Sequence, residues 1–214
     1  MTMAASAVRV ACAVALVLWI DTALAEDLNA LMRRCAPEVH PATLSRIVRA
    51  ESGGRWFALA DAGPAHLPWR VRKGMVRSFF PGSKTEAAEI ANSLLKAGHL
   101  VSIGLTQVNN RNLNRLRLSV FDVLDPCTNL SAGAQILTEF YLAALPRFGG
   151  DEQRALVAAV SAYNTGDFSA GITNGYVGLV LGSAVAAART SVNSPVKAGS
   201  LLEARLATLE VGPF

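Results

Sequence analysis

The chain of 214 residues has room for one domain, or for one domain with a tail, because domains hold roughly 100–200 residues. Hydrophobic residues make up 51% of it and charged residues 17%, which excludes a disordered or low-complexity chain. The formal net charge of +4 suits an anionic polymer, such as cell-wall material or nucleic acid. No run of five Lys or Arg occurs, so we expect no nucleic-acid partner.

The N-terminal segment has the pattern of an export signal. Arg9 precedes an apolar run over residues 10–20, and residues 23–25 (Ala-Leu-Ala) have the small-x-small form that signal peptidase reads. The run is too short to span the roughly 30 Å hydrocarbon layer, so an export signal is favoured over a membrane anchor. We therefore predict a signal peptide over residues 1–25 and a mature chain that begins at Glu26.

The mature chain holds two cysteines, Cys35 and Cys127, because Cys12 lies within the predicted signal peptide and is removed by its cleavage. An even number of cysteines in a chain addressed to an oxidising compartment favours a disulfide over a metal site. Two buried free thiols are the alternative.

The first half of the mature chain is predicted to hold three helices and one long connection. Apolar residues recur at helical spacing from Leu28 to Cys35, and Pro41 opens a second helix that Gly53 ends. Residues 55–82 are rich in Gly and Pro and predict a long loop or a short ribbon, of the kind that often lines a site. Ser83 and Glu86 then have the form of a capping box before a helix that closes at Gly98.

The second half is also predicted to be helical. The predicted helices run over residues 128–145, 151–164 and 176–188, followed by a linker and tail over residues 191–214 with a short helix near 201–209. We therefore predict a mostly α single domain over residues 26–190.

Glu51 is the most informative candidate residue. The apolar stripe of its helix runs through Leu44, Ile47 and Val48, and the next position on the same face is Glu51 instead of a hydrophobic residue. Burial raises the pKa of a carboxyl group, so a glutamic acid there could hold a proton near neutral pH and act as a general acid. The alternative is a surface residue in the last turn of the helix, and helical spacing alone does not decide between the two.

Four ordered motifs resolve this choice. They are residues 51–54 (Glu-Ser-Gly-Gly), 104–108 (Gly-Leu-Thr-Gln-Val), the Asp125-Pro126 pair with 129–133 (Asn-Leu-Ser-Ala-Gly), and 162–166 (Ala-Tyr-Asn-Thr-Gly). Together they resemble the lysozyme-like lytic transglycosylases (SLT domain), over about residues 28–180. Within this family, the chain is most similar to the members that accompany type IV secretion and conjugation systems. Three segments carry this similarity: Cys35-Ala36-Pro37, residues 125–130 and residues 174–177.

The resemblance implies a lysozyme-like fold with a short hairpin or loop lobe beside the cleft. It implies that Glu51 protonates the glycosidic oxygen between N-acetylmuramic acid and N-acetylglucosamine, and then acts as a base while the 6-hydroxyl closes a 1,6-anhydro ring. No cofactor or metal is needed for that chemistry. The implied location is the periplasm, the implied substrate is peptidoglycan, and components of a secretion or conjugation apparatus are the implied partners.

The same resemblance implies substrate-binding roles for five polar residues. Gln107 and Asn129 carry amides suited to an N-acetyl group or to holding the catalytic carboxyl group, and the hydroxyl of Tyr163 is expected against Glu51. The remaining two are Ser52 and Asn164. For Tyr163 the alternative is a core aromatic residue with a satisfied hydroxyl group.

Two other functions stay open at this stage. A hydrolytic muramidase on the same fold would need a second carboxylate such as Asp61 to activate water, although Asp61, Asp125 and Asp167 each fit a structural role better. A noncatalytic wall-binding scaffold would act through the tail. The three histidines lack metal-ligand spacing, so no metal site is expected.

Overall fold

The computed structural model describes residues 28–182. The helices, in chain order, are α1 (28–35), α2 (Pro41–Ser52), α3 (Trp69–Arg72), α4 (Lys84–Lys96), α5 (Leu113–Leu116), α6 (Val120–Val123), α7 (Pro126–Ala144), α8 (Glu152–Thr165), α9 (Ala170–Thr173) and α10 (Tyr176–Leu181). The strands are β1 (Leu59–Pro64), β2 (Arg77–Phe79), β3 (His99–Ile103) and β4 (Val108–Asn109). Short 3-10 turns cover Lys73–Met75, Asn110–Asn112 and Leu145–Phe148.

The larger of two hydrophobic cores joins the helices of the main body. The predicted stripe of α2 is fully buried there, in one cluster with residues of the central helices α7 and α8, and α2 packs against α10. The largest side chains in this core include Leu44, Ile47, Leu105, Leu130 and Met32. Packing of this stripe fixes the direction in which the end of α2 points.

The smaller core lies under an antiparallel sheet with strand order β2-β1-β3-β4. Leu59, Val101 and Ile103 pack from the sheet against α4, and α6 adds Val120 and Val123 to the same core. Helix α7 contributes Ile136 to the same core and Leu137 to the larger one, so this helix holds the lobe against the body.

The helix boundaries agree with most of the predicted signals. Helix α2 begins at Pro41 and ends where Gly53 adopts a left-handed conformation, with φ of 62°. The capping box before α4 is half formed: Ser83 Oγ accepts from the Glu86 amide, but the Glu86 carboxylate accepts from the Gly82 amide instead of closing back on Ser83. The mostly α fold with a short ribbon is confirmed.

The sheet is larger than the predicted ribbon. Strands β1 and β2 lie within residues 55–82 as a ribbon would, but β3 pairs with β1 from beyond α4, and β4 extends the sheet further. Short buried strands carry little alternation, so these pairings have a weak signal in the sequence.

Cys35 and Cys127 form a disulfide across 92 positions of sequence, with their Cα atoms 5.2 Å apart. It joins the end of α1 to the first turn of α7. The predicted helix over 176–188 begins at Tyr176 and ends at Leu181, before Gly182. The predicted signal peptide, the predicted tail over 191–214 and residues 183–188 of the predicted helix lie outside the described residues. Within residues 28–182 no helix has both the length and the hydrophobicity to cross a membrane.

Candidate active site

Glu51 lies at the end of α2, where the chain leaves the helical body for the sheet lobe. Its side chain is partly buried, and the hydroxyl group of Tyr176 donates a hydrogen bond to Oε1 at 2.5 Å. Burial raises the pKa of Glu51 to about 7, although the bond from Tyr176 acts in the opposite direction. The side chain therefore holds a proton close to neutral pH, as a general acid requires.

Tyr176 is a site residue that the sequence analysis did not single out. It is the first residue of α10, and its backbone amide is held by the side chain of Asn174 at 2.9 Å. Burial and the neighbouring charge of Glu51 raise the pKa of the phenol, so Tyr176 remains a hydrogen-bond donor. The sequence did point to the region of Tyr176, because residues 174–177 form one of the segments that carry the family resemblance. The resemblance implied no chemical role for this segment.

Tyr163 does not donate to Glu51, so that part of the prediction was wrong. Its hydroxyl group donates to the backbone carbonyl of Thr106 at 2.7 Å. Burial, together with the charge of Glu51, raises the pKa of Tyr163, so the ring lies within electrostatic range of the acid. Tyr163 thus ties α8 to the loop after β3, while Tyr176 makes the bond to the acid.

Asn129 is 1% exposed, and its amide is occupied by protein atoms. Oδ1 accepts from the amide and the hydroxyl of Thr106, both at 2.8 Å, and Nδ2 donates to the carbonyls of Ile103 and Val123. A Cβ atom at Gly104 would lie 2.2 Å from the Asn129 amide nitrogen, so only glycine fits there. This burial favours a supporting role for Asn129, which holds the loop over residues 104–108 in place, over the predicted contact with substrate.

Gln107 lies in the same loop and adopts a positive φ of 51°. Its Nε2 donates to the carbonyls of Gly104 at 2.8 Å and Ala58 at 3.0 Å. These bonds tie the loop to the segment that enters β1. Both bonds use the amide nitrogen, which leaves the oxygen of this partly exposed side chain as the group suited to a ligand.

Ser52 and Asn164 differ in exposure. Ser52 is 5% exposed; its hydroxyl group donates to the Val48 carbonyl and accepts from the Gly54 amide, so it caps the turn after α2. The predicted direct contact with substrate does not fit this burial. Asn164 is exposed at the end of α8, where its Oδ1 accepts from Asn174 at 2.9 Å.

The other carboxylates named in the sequence have structural roles. Asp61 is fully buried and accepts from Arg77 at 2.7 Å, from the Gly63 amide and from His99, both at 2.8 Å. Burial alone would raise the pKa of Asp61, but these bonds outweigh it and lower the pKa. Asp125 caps the N-terminus of α7, and Asp167 accepts from the side chain and backbone of Ser169. Among the described residues, no three His, Cys, Asp or Glu side chains cluster as metal ligands would.

The fold and this site define a lysozyme-like protein with one glutamic acid tuned as a candidate general acid. The family described as the transglycosylase SLT domain matches residues 29–178, and the chain belongs to this family.

Similar proteins include Protein virB1 of Agrobacterium fabrum, 36% identical over 71% of this chain and 56% of the relative. Type IV secretion system protein virB1 of Brucella abortus is 38% identical over 66% of this chain and 55% of the relative. Protein virB1 of Rhizobium radiobacter is 34% identical over 71% and 58%. The chain thus spans less than two thirds of the length of these relatives. No solved structure matches it.

Proposed function

We propose that the protein is a lytic transglycosylase that cleaves the β-1,4 bond between N-acetylmuramic acid and N-acetylglucosamine in peptidoglycan. The observation that carries the proposal is a single partly buried glutamic acid, Glu51, with a pKa of about 7 and a hydroxyl donor on one oxygen. Membership of the transglycosylase SLT domain family supports the same activity.

In the first step Glu51 donates its proton to the glycosidic oxygen as the bond from this oxygen to C1 of the muramic acid breaks. The substrate's own acetamido oxygen bonds to C1 in its place. The N-acetylglucosamine residue then leaves with the proton, and Glu51 becomes a carboxylate. Tyr176 stabilises that carboxylate, because its hydroxyl group donates to Oε1.

In the second step the Glu51 carboxylate takes the proton from the 6-hydroxyl of the same muramic acid. The 6-oxygen bonds to C1 and displaces the acetamido oxygen, so that a 1,6-anhydro ring forms without water. Glu51 is protonated again at the end, and one carboxyl group serves both steps.

A hydrolytic muramidase would need a base to activate water, and Asp61 is the residue the sequence offered for it. Its carboxylate is buried and already accepts bonds from Arg77 and His99. A carboxylate in that state is a weak base, since its pKa is held below the usual value. The anhydro product is therefore favoured over the hydrolytic one.

Gln107 and Asn164 are the residues we assign to substrate binding, because both retain exposed surface. Gln107 follows Thr106, to which Tyr163 bonds. Asn164 bonds to Asn174, which holds the amide of Tyr176. To Ser52, Asn129 and Tyr163 we assign supporting roles. In this proposal the catalytic domain covers residues 26–190, between a cleaved signal peptide over 1–25 and a tail over 191–214.

The cellular role we propose is local opening of the wall in the periplasm while a type IV secretion or conjugation apparatus is assembled. The names of the Brucella and Agrobacterium relatives support this role. Components of that apparatus are the expected partners, alongside the glycan strands.

Mass spectrometry of the soluble products from purified peptidoglycan tests the activity. The protein is expressed as the full chain for export, and wild type is compared with Glu51→Gln. Glu89→Gln is the matched control, since Glu89 is exposed on α4. We expect muropeptides one water lighter than hydrolytic products from wild type and the control, and none from Glu51→Gln.

The other outcomes identify the alternatives. Reducing-end products that disappear in Glu51→Gln would indicate a muramidase. No products from a folded protein that still binds the wall would indicate the noncatalytic scaffold.

A further inference from the structure

A segment of the sheet lobe, the arm (residues 65–80), touches the two hydrophobic cores only through Phe79, which is partly buried against the smaller core. It consists of α3, a 3-10 turn and β2, and none of its residues is buried. Backbone pairing of β2 with β1, the packing of Phe79 and several polar contacts hold it in place. Arg72 donates to the carbonyls of Ala62 and Leu67, both at 2.9 Å, and Arg77 pairs with the buried Asp61.

The arm exposes large apolar side chains. Five of the nine exposed large hydrophobic residues of the described chain lie in it, between 43% and 61% exposed: Trp69, Val71, Met75, Val76 and Phe80. Leaving such residues in water gains nothing for folding, and apolar side chains concentrated in one short segment mark an interaction surface.

The charge of the same segment has one sign. No Asp or Glu occurs between residues 62 and 85, whereas four of the arm's residues are cationic. Arg72 and Arg77 are engaged with the lobe, and Arg70 and Lys73 are exposed beside Trp69. The arm therefore combines positive charge with both aromatic and aliphatic side chains.

We propose that the arm binds the surface of an anionic phospholipid bilayer. Phosphate groups would pair with Arg70 and Lys73, while Trp69 and Phe80 enter the interface between headgroups and acyl chains. Sugar rings stack on aromatic faces, and the carboxylates of peptide stems pair with cations, but neither accounts for the exposed Val71, Met75 and Val76. A bilayer accommodates all three kinds of side chain. This site is independent of the cleavage reaction proposed above.

Sedimentation with vesicles tests the proposal. The vesicles contain phosphatidylcholine with about one third phosphatidylglycerol, and pure phosphatidylcholine vesicles are the comparison. The protein is the exported chain, with removal of the apolar residues 10–20 verified by intact mass, because these residues would bind lipid themselves. We expect saturable binding to the anionic vesicles only, weakened at ~0.5 M salt as the charges are screened.

Two double variants test the two components of the arm. Arg70→Gln with Lys73→Gln should weaken binding about 30-fold, since each cation near an anionic surface contributes about fivefold. Trp69→Ser with Phe80→Ser should weaken it at least tenfold, because two aromatic anchors are lost. All four side chains are unburied, so both variants should keep the circular dichroism spectrum and melting temperature of wild type.

The control variants remove the same kinds of side chain, cationic or apolar, from positions outside the arm. Arg33→Gln with Arg34→Gln takes two exposed cations from α1, and Leu142→Ser with Leu179→Ser takes two exposed apolar side chains from the helical body. Both should bind vesicles nearly as wild type does. Trp69→Phe should retain binding but lose most of the blue shift in tryptophan emission on addition of anionic vesicles.

Three results would overturn the proposal. One is equal binding to anionic and neutral vesicles, or to neither. Another is an equal loss of binding in the control variants, which would reduce the effect to net charge for the arginine pair or to overall surface hydrophobicity for the leucine pair. The third is loss of binding to purified peptidoglycan in the arm variants while vesicle binding is absent, which would make the arm part of wall recognition.

Discussion

The hydroxyl group of Tyr176 donates to Oε1 of Glu51 at 2.5 Å, across 125 positions of sequence. The bond joins the last turn of α2 to the first residue of α10, which are packed against each other in the helical body. The bond favours the ionised form of Glu51, whereas burial favours the protonated form, and these two opposed effects set the pKa of Glu51 near 7. A group that must first donate a proton and then accept one is served by such a balance.

Replacement of Tyr176 by phenylalanine should shift the pH profile. Since the bond from Tyr176 lowers the pKa of Glu51, its loss should raise that pKa, and the alkaline limb of kcat/KM should move above its wild-type position near pH 7. The turnover rate should fall about 10–100-fold, because a hydrogen bond to a charged group contributes roughly 1.5–3 kcal/mol. Initial rates of release of soluble muropeptides across the pH range measure both effects.

Tyr163→Phe is the matched control for this experiment, because it removes a phenol that bonds to the Thr106 carbonyl and not to the acid. Its alkaline limb should stay where wild type has it. If the limb remained fixed in Tyr176→Phe as well, the hydrogen bond would have no part in setting the pKa.

Glu51→Gln should stabilise the fold at alkaline pH. The pKa is about 7 in the folded protein and near 4.5 in the unfolded chain, so below pH 4.5 both states are protonated and the native Glu51 costs nothing. As the pH rises from 4.5 to 7 the unfolded chain releases its proton first, and wild type loses stability by up to about 3 kcal/mol. The glutamine variant avoids this loss.

Thermal unfolding of wild type and Glu51→Gln between pH 4 and 9 checks this effect. The melting temperatures should coincide at the acidic end and separate by several degrees above pH 7, with the variant higher. A constant difference at all pH values would mean that the carboxyl group is not buried as described.

The position of Glu51 could be predicted because it depends on local periodicity. The stripe of α2 is apolar through Val48, and that periodicity makes Glu51 the next side chain on the core-facing side. Periodicity alone left a surface residue in the last turn as an alternative, and the four ordered motifs decided between the two. The hydrogen-bond partner of Glu51 could not be predicted in the same way. Tyr163 and Tyr176 both lie near Glu51, and only the packing of α8 and α10 determines which hydroxyl group reaches the carboxylate.

The role of Asn129 also depends on packing that the local sequence does not determine. The motif marked it as important, and an amide suits either a sugar or a backbone. Its burial follows from the contact between α7 and the loop after β3, which no local pattern encodes. The pairing of β3 with β1 is equally nonlocal, since α4 separates the two strands in sequence.

Asn129→Leu should destabilise the protein by about 3–5 kcal/mol, since it leaves the Thr106 amide and the Ile103 and Val123 carbonyls buried without their partner. Denaturant unfolding measures the change. Asn164→Ala, at an exposed position, should alter stability by less than about 0.5 kcal/mol. Unchanged stability of Asn129→Leu with a raised KM would instead support the direct contact with substrate that the sequence suggested.

Asp61→Asn tests whether Asp61 has a structural role in the sheet lobe or acts as a catalytic base. The variant keeps an acceptor for the Gly63 amide but loses the charge that pairs with Arg77 and His99, so we expect a loss of about 1–3 kcal/mol at neutral pH. The pKa of Asp61 is lowered in the folded state, so this stabilisation is present above the unfolded value of 3.8 and is lost as the pH falls through the folded pKa. The melting temperatures of wild type and variant should therefore converge at acidic pH, while the anhydro products at neutral pH stay the same. Loss of reducing-end products in the variant, with an unchanged melting temperature, would make Asp61 the base of a hydrolase.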